Sequence, residues 1–403
     1  MNKAGNYILF SGAAAACTSI LYFFSLLPGM PFPLTVASML ALLYLLYRWF
    51  PKAGGDEGKG SLWPYAILAL GLYLISSKAI ALAAKHGEWD AWAIWNLHAA
   101  FLSDTHYWKN MLHNTAGHPD YPLCLPALLA FFRNLFAGHL PNTLSFAISI
   151  WFTLCIPVLI YTSLYHKNLV IAAAALLLIA SDDFFIARGV SQYADTLLAF
   201  FFLAAFCCID AAKTDKKYIA LCTFMLGCCI WTKNEGIVLA GIFALFYAKT
   251  FLKRTHIIQV LAGIALPMGA WLVFKLAYAP ANDMVQGLGN DTGSLLFAGS
   301  RYHMIWDLFK VNLNKNFTYL KTGFYLYLLR CILQKEWPGR QMLLVLCCLL
   351  AYFMIYVITP RDLQWQLSTS QDRLMHQLMP AMAYVIARKL SDLQFLLPQK
   401  QTL

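Results

Sequence analysis

Glu88 and Asp90 stand on either side of Trp89 in the stretch GEWDAWAIWNLHAAFL, with Trp92 and Trp95 close behind. Indole rings thin the water around a carboxylate, and a carboxylate short of water takes up a proton more readily, the condition for a general base. An interfacial aromatic belt with Asp90 capping an amphipathic helix fits the same pattern, and neither residue type nor spacing separates the two readings. Further on, HPDYP sets His118, a second carboxylate at Asp120, and Tyr121 on a rigid turn. Its plainer reading is a proline-defined helix start capped by Asp120. Asp182, Asp183, Arg188 and Asp195 flank or open the apolar stretch from Phe184 to Ile209. Arg188 and Asp195 could pair as a structural tie or line a polar cavity. In WTKNEG, Lys233 and Glu235 occupy a tight turn, where the cation suits phosphate and a simple Lys–Glu pair is as good an account. Finally, Asp372, Arg373 and His376 precede the last apolar stretch. The planar guanidinium fork suits a phosphate carried by a lipid, while an Asp372 cap beside Arg373 needs no ligand at all.

These residues must be positioned by something, and composition says what. With 60% hydrophobic and 12% charged residues, the chain is more apolar than a soluble core requires. Apolar stretches run over 8–27, 34–47, 62–84, 143–165, 168–180, 184–209, 218–231, 237–248, 257–278, 318–333, 342–358 and 374–387. An all-α polytopic transmembrane bundle of about twelve spans is therefore expected. The net charge of +11 does not point to nucleic acid, because the basic residues sit in short clusters between apolar runs. Arg48, Lys52, Lys59, Lys167, Lys213, Lys216, Lys217, Lys249, Lys253, Arg254, Arg330, Lys335, Arg340, Arg388 and Lys389 are placed in the cytoplasm on the positive-inside rule.

That orientation puts 85–121, 181–195, 232–236, 279–317 and 359–373 outside, and nearly every motif named above falls in them. It requires that 122–137 not cross; with Pro126 and Arg133 inside it, this stretch reads as a re-entrant or surface-lying helix. The first apolar run reads as a retained span, since Ala14 to Cys17 matches a cleavage site only faintly. Most of the eleven cysteines lie inside apolar runs and show no metal-ligand spacing, which makes them packing residues.

Taken in order, the acid that follows a span, HPDYPLCLP, ARGVSQYADTLLAFFFLAAF, LGCCIWTKNEG and STSQDRLMHQLMP resemble the GT-C class of membrane glycosyltransferases. Protein O-mannosyltransferases and the aminoarabinose transferase of lipid A belong to that class, and the resemblance covers residues 62–387. It implies a catalytic transmembrane module in 62–390 with a juxtamembrane helical loop on its outer face; the apolar runs in 1–61 add two N-terminal helices, and 391–403 is expected as a cytoplasmic tail. The implied activity is inverting transfer of a sugar from a polyprenyl-phosphate donor to a glycan, lipid or protein acceptor outside the cytoplasm, in a bacterial inner membrane.

By the same resemblance Asp90 is the general base, with Glu88 and Asp120 as the other candidate acids. Arg188, Asp195, Lys233 and Arg373 match its substrate-binding positions, and His118, Tyr121, Glu235 and Asp372, which stand in the same motifs, are expected to bind substrate with them. Two departures stand out: Asp90 is followed by Ala91 rather than a second acid, and two additional spans precede the one that leads to Asp90. No cofactor is implied with certainty. A divalent cation could share the work of the basic residues, although no His/Asp cluster has ligand spacing. The competing expectation is a transporter or flippase of lipid-linked sugars, which would need ionisable groups near the midplane and broken helices in matched halves.

Overall fold

The computed structural model describes residues 2–52, 62–84, 86–113, 117–139, 141–282 and 292–392. Lys59, Lys85 and parts of the expected outer stretches 85–121 and 279–317 lie outside the described residues, as does nearly all of the expected tail.

All regular structure among the described residues is helical. In chain order the helices are α1 (Lys3–Leu26), α2 (Phe32–Trp49), α3 (Trp63–Leu82), α4 (Asn96–Leu102), α5 (Cys124–Leu135), α6 (Pro141–Leu164), α7 (Leu169–Ser181), α8 (Asp183–Val190) and α9 (Ala194–Ala211). There follow α10 (Lys217–Thr232), α11 (Glu235–Phe246), α12 (Ala248–Phe251), α13 (Ile257–Ala277), α14 (Thr292–Phe297), α15 (Gly299–Lys315), α16 (Thr318–Leu333), α17 (Arg340–Ile358) and α18 (Leu363–Leu390).

Each expected apolar stretch is helical, but the span count differs from expectation. Among the described residues, seven helices are long and apolar enough to cross a bilayer, namely α1, α2, α3, α6, α9, α13 and α17, and α7 with α8 would make an eighth across a 65° bend. At 12 to 16 residues, α5, α10 and α11 are shorter than the roughly 20 residues a full crossing takes. The protein is thus a multi-pass helical membrane protein by its apolar helices, and the expected count of about twelve spans is not confirmed among the described residues.

The apolar stretch expected to run unbroken from Phe184 to Ile209 is two helices, α8 and α9, parted at Ser191, Gln192 and Tyr193. Gln192 adopts a left-handed backbone with φ 65°. The loop that follows α3 packs onto this break: the Glu88 amide donates to the Ser191 carbonyl at 3.1 Å. Gly87, at φ 72°, allows that approach, since a Cβ there would come within 2.8 Å of the same carbonyl oxygen. The break matters because it places Arg188 and Asp195 on separate helices.

At the centre lies α9, whose side chains are almost all buried against α6, α10 and α18. Asp195 opens α9 and Asp210 closes it, and fifteen residues of helix separate their backbones by about 22 Å. Arg373 and Arg388 are separated equally along α18. The bundle therefore carries two charged clusters held apart by rigid helices, one at each end. Nor do the two N-terminal helices form a unit of their own. Tyr218 donates to Asn6 at 2.6 Å and the Trp231 indole to Ser19 at 3.1 Å, so α1 is embedded in the bundle, whereas α2 is mostly exposed. Helix α5 packs across α1, with Ser19 reaching the Leu123 carbonyl at 3.5 Å and Asn134 donating to Tyr22 at 2.8 Å. Both its ends meet nearly the same turn of α1, and Cys124 to Phe131 are buried, so it is an inserted helix and not one lying on the surface.

The two-ended layout gives a direct test of orientation. Ten of the eleven cysteines are buried and Cys347 is half-buried, so replacing Cys347 gives a quiet background for thiol labelling. A cysteine at exposed Ser368 is expected to react with an impermeant maleimide on intact cells, and one at exposed Thr214 only after permeabilisation. Labelling of both from the same side would contradict the two-ended arrangement.

Candidate functional site

Asp195 is the buried anchor of one cluster. Its side chain is 3% exposed and receives Lys233 Nζ at 2.9 Å on Oδ1 and Arg373 Nη2 at 3.0 Å on Oδ2, with Gln377 Nε2 also donating to Oδ1. A buried carboxylate without partners would be costly, and two cations with an amide satisfy it here. Lys233 is held in the turn between α10 and α11. Burial alone would pull its ammonium down, but Asp195 and Glu235, the latter at 3.4 Å, outweigh that and hold it above its ordinary value.

Arg373 bridges from this anchor to the surface. Its Nη1 meets Asp90 Oδ2 at 2.7 Å, and its guanidinium stacks over the Tyr193 ring at 4.4 Å. Tyr193 in turn accepts the Asp90 amide at 3.2 Å, and burial pushes its phenol up to about 12, so it stays protonated. Asp90 keeps 19% of its side chain exposed, against 14% for Arg373. A second pair of contacts runs alongside: Arg188 donates Nη1 to Glu88 at 2.7 Å and Nη2 to Asp372 at 3.0 Å.

On the other side, Asp120 accepts from Asn234 at 2.8 Å and Asn282 at 2.9 Å, while Lys275 lies 3.6 Å from Oδ2 and bonds the Asp120 carbonyl. His118, at φ 52°, stacks on Tyr121 with ring centroids 4.5 Å apart, and Tyr121 stacks on Trp95 at 5.6 Å. Tyr121 is half-buried, and desolvation raises its phenol well above the usual range, reinforced by Glu235 and Asp120. Trp89 and Trp92 form an exposed edge-to-face pair at 4.4 Å beside the carboxylates.

The fold thus gathers Glu88, Asp90, His118, Asp120, Tyr121, Arg188, Asp195, Lys233, Glu235, Asp372 and Arg373 at one end of the bundle. Their pairing departs from the sequence reading. Arg188 and Asp195 do not bond each other, because the break between α8 and α9 sends one to Glu88 and Asp372 and the other to Lys233 and Arg373. The capping alternatives also fail. Asp90 makes no side-chain cap, α5 begins after Leu123 rather than Asp120, and Asp362, not Asp372, caps α18 by accepting the Trp365 amide at 2.7 Å. Arg373 sits well inside α18, not at its end, since that helix begins at Leu363. Lys233, expected to meet a ligand, is buried against Asp195 at 4% exposed, which leaves Arg188, Lys275 and Arg373 as the partly exposed cations of the cluster.

Sequence reasoning missed Tyr193, Asn234, Lys275, Gln377 and the bond from Tyr352 to Gln377 at 2.6 Å. Asn234 adjoins Lys233, and Gln377 stands four residues after Arg373, one helical turn on; that spacing was a usable signal. Lys275 gave its signal as a cation within an apolar stretch, but not its partner. A divalent cation does not fit this cluster: among the described residues no three His, Cys, Asp or Glu side chains converge as its ligands, and the carboxylates face basic side chains instead.

Fold and site together define a polytopic helical membrane protein with a paired-charge cluster at one end of its bundle. No protein-family model, curated protein or solved structure matches the chain.

Proposed function

We propose that the protein is a glycosyltransferase that moves a sugar from a polyprenyl-phosphate carrier to an acceptor hydroxyl at the non-cytoplasmic face, with inversion and with Asp90 as the base. The observation that carries this reading is the Asp90–Arg373 pair, a partly exposed carboxylate bonded to a guanidinium that buried Asp195 and Tyr193 hold in place.

Arg373 offers one edge of its fork to Asp195 and the other to Asp90. The donor's phosphodiester carries one negative charge, as Asp90 does, and competes with it for the second edge through bidentate contacts; the guanidinium gains most as the departing carrier phosphate takes on its second charge. Once displaced, Asp90 is a free carboxylate next to the phosphate. The acceptor hydroxyl gives its proton to Asp90 as its oxygen bonds to the anomeric carbon. The bond between that carbon and the phosphate oxygen breaks, and its electron pair stays on the carrier phosphate facing Arg373. Arg188, held between Glu88 and Asp372, supplies further positive charge nearby. Lys233 acts from below by balancing Asp195, so that Arg373 need not surrender its whole charge to the anchor.

A lipid-borne donor is supported by an apolar cavity of about 400 Å³ between α15, α17 and α18, lined by Trp306, Phe309, Leu349, Phe353 and Met375. Tyr352 and Gln371 also line it, and Tyr352 bonds Gln377, which bonds Asp195. An isoprenoid tail in that cavity would bring its phosphate toward Arg373.

The test is reconstitution of the full chain in liposomes with radiolabelled polyprenyl-phosphate sugars. Release of free carrier phosphate with label appearing in lipid, glycan or protein fractions is expected. Movement of intact lipid-linked sugar across the bilayer without cleavage would replace this reading by a flippase.

A further inference from the structure

At the end of the bundle opposite Asp90, the chain forms a half-open cavity of about 620 Å³, larger than the apolar one and different in kind. Cations reach it from four separate segments: Lys167 between α6 and α7, Lys213 after α9, Arg340 at the start of α17, and Arg388 and Lys389 at the end of α18. Two acids share it, and both are already engaged. Asp210 accepts Arg388 at 2.7 Å, Tyr384 at 2.9 Å and Gln341 at 3.1 Å, while Asp392 pairs with Lys167. Lys389 bonds Glu336. Among the described residues, Lys213 and Arg340 have no acidic partner; Arg340 instead lies over the Tyr247 ring at 5.2 Å.

We propose that this cavity is a binding site for a phosphate-bearing anion, either a phospholipid headgroup or free phosphate. Basic residues at loop ends by themselves would only orient the protein in the membrane, and such residues disperse in solvent. Here they converge on one cavity around a satisfied carboxylate network, leaving two cations unneutralised. The first turn of α17 lines the same cavity, so the positive end of a 19-residue helix adds to the field. The hydroxyl of Thr250 and the imidazole of His256 complete a polar lining of the sort that surrounds an oxyanion. Size favours a headgroup, since the cavity is far roomier than a phosphate ion. Leu252, Ile332 and Leu333, all largely exposed on flanking segments, give acyl chains an apolar surface beside it.

The experiment measures melting of the full-length protein in nanodiscs. One arm titrates inorganic phosphate into phosphatidylcholine discs; the other compares phosphatidylcholine discs with discs that also contain phosphatidylglycerol. A saturable rise in melting temperature is expected in the phosphatidylglycerol arm, and a rise in the phosphate arm as well would identify the free anion as a sufficient ligand. The double variant Lys213→Gln/Arg340→Gln alters exposed side chains and is expected to fold. It should lose about tenfold or more of the apparent affinity, the scale of a charge-assisted contact. Lys310→Gln, an exposed lysine on α15, should lose nothing, and Lys213→Arg should retain binding. If neither phosphate nor phosphatidylglycerol stabilises the wild type, or if the double variant responds like the wild type, the cavity is not an anion site. Because it lies about 22 Å along α9 from the Asp90 end, this result stands apart from any assay of sugar transfer.

Discussion

Asp90→Asn is expected to lower sugar transfer by roughly 10²- to 10⁴-fold, the usual cost of removing a general base, while the protein melts near the wild-type temperature. The amide keeps the size of the carboxylate and can still face solvent, but it takes no proton near neutral pH. The ion pair with Arg373 at 2.7 Å adds a second, more discriminating expectation. Asn cannot compete with phosphate for the guanidinium as a carboxylate does, so the donor should bind Asp90→Asn as tightly as the wild type or more tightly. A fall in kcat with an unchanged or lower KM for the donor is the signature of a group that acts in the transition state and competes in the ground state. If Asp90 served only to hold Arg373 in place, its loss would let the guanidinium wander and KM would rise instead. Glu88→Gln is the comparison. Glu88 is 43% exposed and touches Arg188 rather than Arg373, so its loss should cost far less, as exposed ion pairs generally do. Near-wild-type kcat in Asp90→Asn would remove it as the base and turn attention to Glu88 and Asp120.

How much of this was readable beforehand depends on the physics each feature rests on. Helices were legible because uncharged runs have one stable backbone solution in a bilayer, and every expected apolar stretch is helical. Crossing was less legible, because hydropathy cannot tell a span from a short helix buried within protein, as α5 and α10 show. The break at Gln192 escaped notice because Ser-Gln-Tyr carries no proline or glycine; what it requires is Gly87, a residue far away in sequence that lets the loop after α3 approach. The gathering of acids and bases at one end followed from orienting the loops by their basic residues, and that gathering holds. Pairing did not follow. Asp195 has three neighbours offering hydrogen bonds, and which of them reach it is fixed by helix packing that no local spacing encodes. Arg188 and Asp195 looked like a pair because both border one apolar stretch, and the break redirected both.

Arg373→Lys and Arg373→Ala should separate a phosphate-binding role from a purely structural one, and the buried anchor makes the order of effects specific. Arg373 uses Nε and Nη2 toward Asp195, at 3.3 and 3.0 Å, and Nη1 toward Asp90. Lysine cannot serve both carboxylates with a planar fork. It should keep contact with the buried anchor, where an unpaired charge costs most, and give up the outward contact. Arg373→Lys is thus expected to melt close to the wild type yet need more donor, by about tenfold or more if one charge-assisted contact is worth roughly 1.5–3 kcal/mol. Arg373→Ala should suffer twice, losing donor affinity and also stability, because Asp195 is left with Lys233 and Gln377 alone. Removing one partner of a buried pair typically costs about 3–5 kcal/mol. Arg373→Gln keeps an amide donor for Asp195 and leaves the Lys233–Asp195 pair in place, so it should retain more stability than Arg373→Ala while donor affinity stays low. Donor titrations at matched folded fractions, with melting measured on the same preparations, decide the matter. Were Arg373→Gln to keep wild-type donor affinity along with its stability, Arg373 would be a structural partner of Asp195 and the phosphate would have to meet Arg188 instead.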